Sequence, residues 1–310
     1  MTWPLDCVRP TESLARHTSF RIGGPAEWFA QPSSLEELIE VLQMARQLGL
    51  PVAVVGGGTN CLVADRGVRG LVVHLGPAFR TIQVMDDGDA DQTIVRCGAA
   101  VLTQRLVRLA GQYGWEGVEV LAGLPGQVGG AVVMNAQYIG QFVEAVTVVT
   151  FEGAVMQLRR EQITFSYRYT TMKPGLIVDV SLRFRRSDPA VCAQQLQQVL
   201  TYRNTTQELR LPSAGCAFKN PPQQSAGRLI DQAGLKGLRI GDARVSQRHA
   251  NFIVNLGQAT CEDVLSLMEY VQRSVRHTFG VWLEPEVRVL GERLDQFCAV
   301  PVRTTPHGAA

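Results

Sequence analysis

Glycine placement constrains this chain more than any other feature of its sequence. Its 30 glycines exceed the ~7% of ordinary usage. They gather at Gly23-Gly24, Gly56-Gly57-Gly58, Gly123 to Gly130 and Gly227 to Gly241. The run Pro51-Val52-Ala53-Val54-Val55 reads as a buried strand feeding the loop Gly56-Gly57-Gly58-Thr59-Asn60. Glycines accept positive φ and let backbone N–H groups approach an anion, so this loop suits a phosphate nest. It is neither a G-x-G-x-x-G fingerprint nor a P-loop, and a sharp structural turn explains it equally well. A second stretch, AGLPGQVGGAVVMNA from Ala122 to Ala136, is apolar and uncharged. It can lie against a planar aromatic ligand, or it can be a buried turn between core strands. Together the two loops suit a dinucleotide held in an extended pose.

Periodicity supplies the elements around these loops. A helix is expected over 34–50, with a Ser34/Glu37 capping box, apolar Leu35, Leu38, Ile39 and Leu42, and a stop at Gly49. Strands are expected over 71–75, 93–97, 145–150 and 177–184, and a helix over 102–113 carrying Leu106, Leu109 and Ala110. The polar stretch Arg185-Arg186-Ser187-Asp188-Pro189 reads as a domain boundary. Beyond it, helices fit 190–202 and 261–277. This mixture favours α/β or α+β over all-α. The tail over 299–310, small and rich in Pro and Gly, reads as disordered.

Composition narrows the function. A formal net charge of +2 gives no electrostatic drive toward nucleic acid or an anionic membrane. No apolar run reaches the roughly 18–20 residues of a transmembrane helix, and the start lacks the pattern of a secretory signal. Seven scattered cysteines without a C-x-x-C pair argue against a disulfide framework and a zinc site, and for a reducing compartment. The histidines form no metal-ligand cluster, so no metal is expected.

Six ordered motifs then carry a resemblance: HTSFRIGGPA from His17, VVGGGTN, LAGLPGQVGGAVVMNA, Phe165-Ser166-Tyr167-Arg168, Gly215-Cys216-Ala217-Phe218-Lys219-Asn220-Pro221, and Leu283-Glu284-Pro285-Glu286-Val287-Arg288. This pattern, running from about His17 to Gly291, resembles the UDP-N-acetylenolpyruvoylglucosamine reductases, flavoproteins of the vanillyl-alcohol-oxidase-like FAD fold. The resemblance implies an α+β chain. A two-lobed FAD-binding domain would span 1–188 (lobes 1–75 and 76–188), with a smaller α+β substrate-binding domain over 189–298. It implies FAD as cofactor and NADPH as co-substrate in a cytoplasmic, monomeric enzyme of peptidoglycan precursor synthesis. The partner would be a UDP-sugar, with neither nucleic acid nor membrane involved. Val55, Gly56, Gly57, Gly58, Thr59, Asn60, Gly123, Pro125, Gly126, Gly129, Gly130 and Ala131 would hold the cofactor. Another oxidase of the same fold and a catalytically silent nucleotide-sugar binder are the alternatives.

On their own, Tyr167-Arg168 read as a surface cation–π pair, Cys216 as a small buried hydrophobe, and Glu286/Arg288 as an exposed ion pair on one strand face. The resemblance makes Arg168, Cys216 and Glu286 catalytic, with Cys216 standing where relatives usually carry a proton-donating serine. A thiol is a competent donor, and Lys219 would favour its thiolate if close in space. Ser213 is the competing donor. Met172 replaces an aromatic of the family pattern, while Thr170 keeps its hydroxyl. Substrate contacts are expected from Tyr167, Lys219, Asn220, His249 and Arg288, with Glu284 structural.

Overall fold

The structure, a computed structural model, describes residues 3–85, 88–172, 175–208 and 210–291. The tail expected over 299–310 lies outside the described residues. The first lobe comprises β1 (Val8–Ser13), β2 (Pro25–Ala30), α1 (Leu35–Gln47), β3 (Val52–Val54), β4 (Cys61–Val63) and β5 (Val68–Val73). Its sheet runs β1-β2-β5-β3, with β1 antiparallel to β2, and β2 and β3 both parallel to β5. Leu38, Val41, Leu42 and Ala45 form the buried stripe of α1, as the 3.6-residue period requires. Only half of the expected capping box forms. Ser34 Oγ accepts from the Glu37 N–H at 3.1 Å, but the Glu37 carboxylate turns to the N–H and hydroxyl of Ser33 instead. The strand expected to be buried also differs. β3 is the sheet edge, Val55 is buried, and Val54 is 38% exposed along the wall of a cavity.

The second lobe holds β6 (Ile82–Met85), β7 (Gln92–Gly98), α2 (Thr103–Tyr113), α3 (Val128–Val133), β8 (Val143–Thr150), β9 (Val155–Arg159), the short hairpin β10 (Phe165–Ser166) and β11 (Tyr169–Thr170), and β12 (Gly175–Arg185). Its antiparallel sheet runs β6-β7-β12-β8-β9. The expected strands at 93–97, 145–150 and 177–184 fall within β7, β8 and β12.

The third unit contains α4 (Pro189–Thr206), β13 (Ser213–Cys216), α5 (Ala226–Gln232), β14 (Arg239–Ile240), β15 (Ala243–Val245), β16 (Phe252–Asn255), α6 (Cys261–Phe279) and β17 (Arg288–Leu290). A four-stranded antiparallel sheet, β13-β16-β15-β14, is covered by α6, which starts at a Thr260/Asp263 capping box and ends at left-handed Gly280. Packing does not follow the polar boundary at 185–189. α4 lies on α2, and Leu196, Val199 and Leu200 join the core of the first two lobes. The polar stretch instead packs against the end of α2, where Ser187 N–H donates to the Gly114 carbonyl at 2.8 Å, and the third core begins after α4.

That third core is not self-contained. Phe20, Ile22 and Leu62 of the first lobe are buried with Val264, Leu267 and Met268, and β17 returns to pair in parallel with β4. Asp65 of the first lobe accepts from the first two amides of α6, Cys261 N–H at 2.8 Å and Glu262 N–H at 3.2 Å. No helix among the described residues is long and apolar enough to cross a membrane.

Candidate active site

The three units meet around a cavity of about 610 Å³, within the ~300–1,000 Å³ range of small-molecule sites. Its walls are β3, the loop from Gly56 to Cys61, parts of the 124–137 stretch, Gly175 to Ile177, and Ala214 to Cys216. Arg168, Arg203, Glu286 and Arg288 line it as well.

The two glycine loops stack on each other. A Cβ on Gly57 would lie 2.8 Å from Gly126 Cα, and one on Gly126 would lie 2.7 Å from Thr59 Oγ1. Of the three consecutive glycines only Gly58 takes positive φ (+61°), where a side chain would collide with the His17 carbonyl. Gly56 and Gly57 supply room rather than unusual φ. Among the described residues the N–H groups of Gly56, Gly57 and Thr59 find no acceptor within the protein, which leaves donors for an anion. Gly130 lines the cavity with nothing within 4 Å of a built Cβ, whereas Gly129 packs on Ala99. Val55, Pro125 and Ala131 add apolar wall. Gly123 and Gly126, expected to contact the cofactor, lie outside the lining. They shape the loop, Gly123 against Arg203 and Gly126 against Thr59. A nest of free amides and two glycine-rich loops in contact beside a cavity of this volume fit a flavin dinucleotide.

Arg168 enters from the two-residue turn between Ser166 and Tyr169, at φ +55°. A non-glycine side chain rarely occupies that conformation, and here it carries one of the site's cations. Arg168 Nε lies 2.6 Å from Glu286 Oε1, with side chains 17% and 10% exposed. The N–H is not aimed along this contact, so the attraction is mainly Coulombic. Backbone bonds lock Glu286, whose N–H donates to the Ala217 carbonyl (2.8 Å) and whose carbonyl accepts from Asn60 Nδ2 (3.1 Å). Burial lifts the Glu286 carboxyl above its usual range, while Arg168 pulls it down.

Cys216 follows a bulge in β13. Ser213 pairs with Val254 and Cys216 with Phe252, so one extra residue is absorbed around Gly215 at φ +77°. Burial pushes the Cys216 thiol up to about 12, helped by the Glu286 charge and opposed by Arg168 and a hydrogen bond with Asn251. The thiol is therefore protonated at neutral pH. Lys219 does not produce a thiolate, because its ammonium is paired 2.5 Å from Glu284 Oε1. Glu284 thus has a structural partner. Ser213, the competing donor, lies outside the cavity lining and its hydroxyl accepts from the Gly215 N–H.

The remaining expected substrate residues divide. Arg288 lines the cavity, whereas Tyr167, Lys219, Asn220 and His249 do not. Tyr167 Oη accepts from the Asn220 N–H (3.2 Å), and Asn220 Oδ1 accepts from Ala226 N–H (3.0 Å). His249 packs on Phe252 at 4.6 Å between ring centroids, its Nδ1 is buried without a protein partner, and burial lowers its pKa. Sequence reading missed Arg203 and Gln207, which reach the cavity from α4 and just beyond it. One signal was present: Arg203 is the single charge in PAVCAQQLQQVLTYRNTT.

Comparisons with known proteins agree with this geometry. The family model of the FAD binding domain matches residues 26–159, and that of the UDP-N-acetylenolpyruvoylglucosamine reductase C-terminal domain matches 207–290, beginning where α4 ends. The chain is 43% identical over 290 residues to UDP-N-acetylenolpyruvoylglucosamine reductase 2 of Symbiobacterium thermophilum, covering 92% of each. It is 41% identical over 288 residues to the UDP-N-acetylenolpyruvoylglucosamine reductase of Heliobacterium modesticaldum, covering 91% of this chain and 90% of that one. A crystal structure of the corresponding reductase from Thermus caldophilus superposes with a TM-score of 0.77 at 39% identity, over 91% of this chain and 99% of that one.

Proposed function

Since this chain belongs to the UDP-N-acetylenolpyruvoylglucosamine reductase family, we propose that it reduces the enolpyruvyl double bond of UDP-N-acetylglucosamine-enolpyruvate with NADPH, yielding UDP-N-acetylmuramate for peptidoglycan. The observation that carries this reading is the cluster of Arg168, Glu286 and Cys216 in the lining of a cavity walled by the two glycine loops. FAD, when bound, would supply the hydride chemistry between NADPH and the enol ether.

The protein's part is electrostatic and acid–base. The Arg168 guanidinium, held beside Glu286, stabilises negative charge that develops on the substrate's carboxylate and α-carbon. Cys216, protonated at working pH, gives its Sγ proton to the α-carbon. Glu286 holds the Arg168 guanidinium in place, and its charge helps keep the Cys216 sulfur protonated. Val55, Gly56 to Asn60, Pro125 and Gly129 to Ala131 would hold FAD, with pyrophosphate oxygens on the free amides and the ring system against the apolar stretch. Arg288 and Arg203 would meet anionic parts of the sugar nucleotide. Tyr167, Lys219, Asn220 and His249 would form the flank that receives its distal portion. A monomer would suffice for this chemistry, and the scattered free cysteines suit the cytoplasm.

Absorption spectroscopy tests the reading. Purified protein should be yellow, should bleach on anaerobic NADPH titration, and should regain its colour on addition of the enolpyruvyl sugar. A yellow protein whose reduced flavin ignores that sugar, or a colourless one that binds it, would overturn the proposal.

A further inference from the structure

We infer that Ser19 is a positioning residue that fixes the strand carrying Cys216 against the glycine loop; this rests on the proposed role of Cys216 as proton donor. The HTSFRIGG segment supplies nothing to the cavity lining, yet Ser19 touches both sides of the site. Its N–H donates to the Gly58 carbonyl at 3.0 Å, and its hydroxyl donates to the Ser213 carbonyl at 2.6 Å. Gly58 O also lies 3.3 Å from the hydroxyl oxygen, but the single proton goes to the nearer acceptor. Ser19 itself is held from both directions. Thr18 Oγ1 donates to the Ile22 carbonyl (3.2 Å), and Asn255 Nδ2 donates to the Phe20 carbonyl (3.0 Å), with Phe20 buried in the third core.

Ser213 is where this contact gains leverage. It is the last regularly paired residue before the bulge that turns Cys216 toward the cavity. A bulge aims its side chain according to how both of its arms are fixed. The downstream arm is tied by Ala217 N–H to Asn251 O (2.7 Å) and by Glu286 N–H to Ala217 O (2.8 Å). The upstream arm has Asn255 N–H on Pro212 O (2.9 Å), the ladder to Val254, and the Ser19 hydroxyl. Of these, only Ser19 ties it to the loop that would carry the cofactor. Losing that hydroxyl frees the 213–215 backbone to shift relative to the loop. A displacement of about 1 Å at a reacting group costs up to ~10²-fold in rate.

The test compares wild type with Ser19→Ala and Ser19→Thr, each loaded with FAD. In Ser19→Ala, anaerobic reduction by NADPH should stay within about twofold of wild type, because the Gly58 contact uses the main chain. Reoxidation by UDP-N-acetylglucosamine-enolpyruvate should slow by ~10–10²-fold. Turnover in D2O should place deuterium at the α-carbon in both configurations instead of one. Amide hydrogen exchange at 214–217 should accelerate in the FAD-free variant. Ser19→Thr, which keeps the hydroxyl, should restore reoxidation and single-configuration labelling. Wild-type reoxidation and labelling in Ser19→Ala overturn the assignment. So does an equal loss of FAD affinity and of both half-reactions with no rescue by Ser19→Thr, which marks a merely structural role. If reduced wild-type flavin ignores the enolpyruvyl sugar, the functional reading fails first and this inference with it.

Discussion

The guanidinium of Arg168, carried by a two-residue turn, meets the carboxylate of Glu286 at 2.6 Å, from a backbone conformation that few side chains adopt. The turn accepts local strain at φ +55° so that a cation can reach a largely buried carboxylate. Removing one member of such a pair leaves an uncompensated charge, typically at a cost of ~3–5 kcal/mol. Arg168→Ala should therefore slow the substrate half-reaction by ~10²–10³-fold and lower stability. Arg168→Gly should be equally slow yet more stable than Arg168→Ala by about 1 kcal/mol, since glycine relieves the positive φ. Chemical unfolding of the two variants side by side checks this.

Glu286 should leave a signature in the pH dependence of stability. Its carboxyl is raised in the folded protein, so the folded state holds this proton to higher pH than the unfolded chain does. The resulting stabilisation is full below the ordinary carboxylate pKa and is lost as pH rises through the raised folded value. Glu286→Gln abolishes that loss. Melting temperatures measured from pH 3.5 to 7 should show the difference, Glu286→Gln minus wild type, growing more positive with pH across that window. A flat difference would contradict the raised carboxyl.

Cys216 should behave as a protonated acid rather than a reactive thiolate. Cys216→Ala should keep NADPH reduction of the flavin but slow reoxidation by substrate ~10²–10⁴-fold, with Cys216→Ser retaining partial activity. Because burial holds the thiol up to about 12, iodoacetamide should modify it slowly at pH 7, with a rate rising about tenfold per pH unit in the alkaline range. Substrate should protect it. Rapid modification at neutral pH would show that the thiol is not so shielded.

The glycines should separate into two classes. Gly58→Ala places a side chain at positive φ against the His17 carbonyl and should destabilise the FAD-free protein by on the order of 3 kcal/mol. Gly130→Ala meets nothing within 4 Å and lies within α3, so it should leave FAD-free stability unchanged or raise it by up to about 1 kcal/mol. It should nevertheless weaken FAD binding, because the added methyl enters the cavity. Denaturant melts and FAD titrations of both variants check the contrast.

Local pattern was enough for much of this protein. The apolar stripe of α1, the span of α6 and the β-rich runs of β7, β8 and β12 were legible because helix and strand periods reflect one buried face each. The motifs around Arg168, Cys216 and Glu286 stood out only through the family resemblance; on their own those residues read as a surface pair, a small buried hydrophobe and an exposed ion pair. Other features depended on neighbours remote in the chain. That Lys219 is spent on Glu284, that α4 packs with the second lobe, that Arg203 reaches the cavity and that Ser19 spans Gly58 and Ser213 are all contacts between distant segments. Periodicity records which side of an element is buried, but not against what. The state of the Cys216 thiol follows the same rule. The sequence alone determined that a sulfur stands at this position; only the tertiary structure decided that it keeps its proton, because desolvation and the charges of Glu286 and Arg168 are properties of the assembled site.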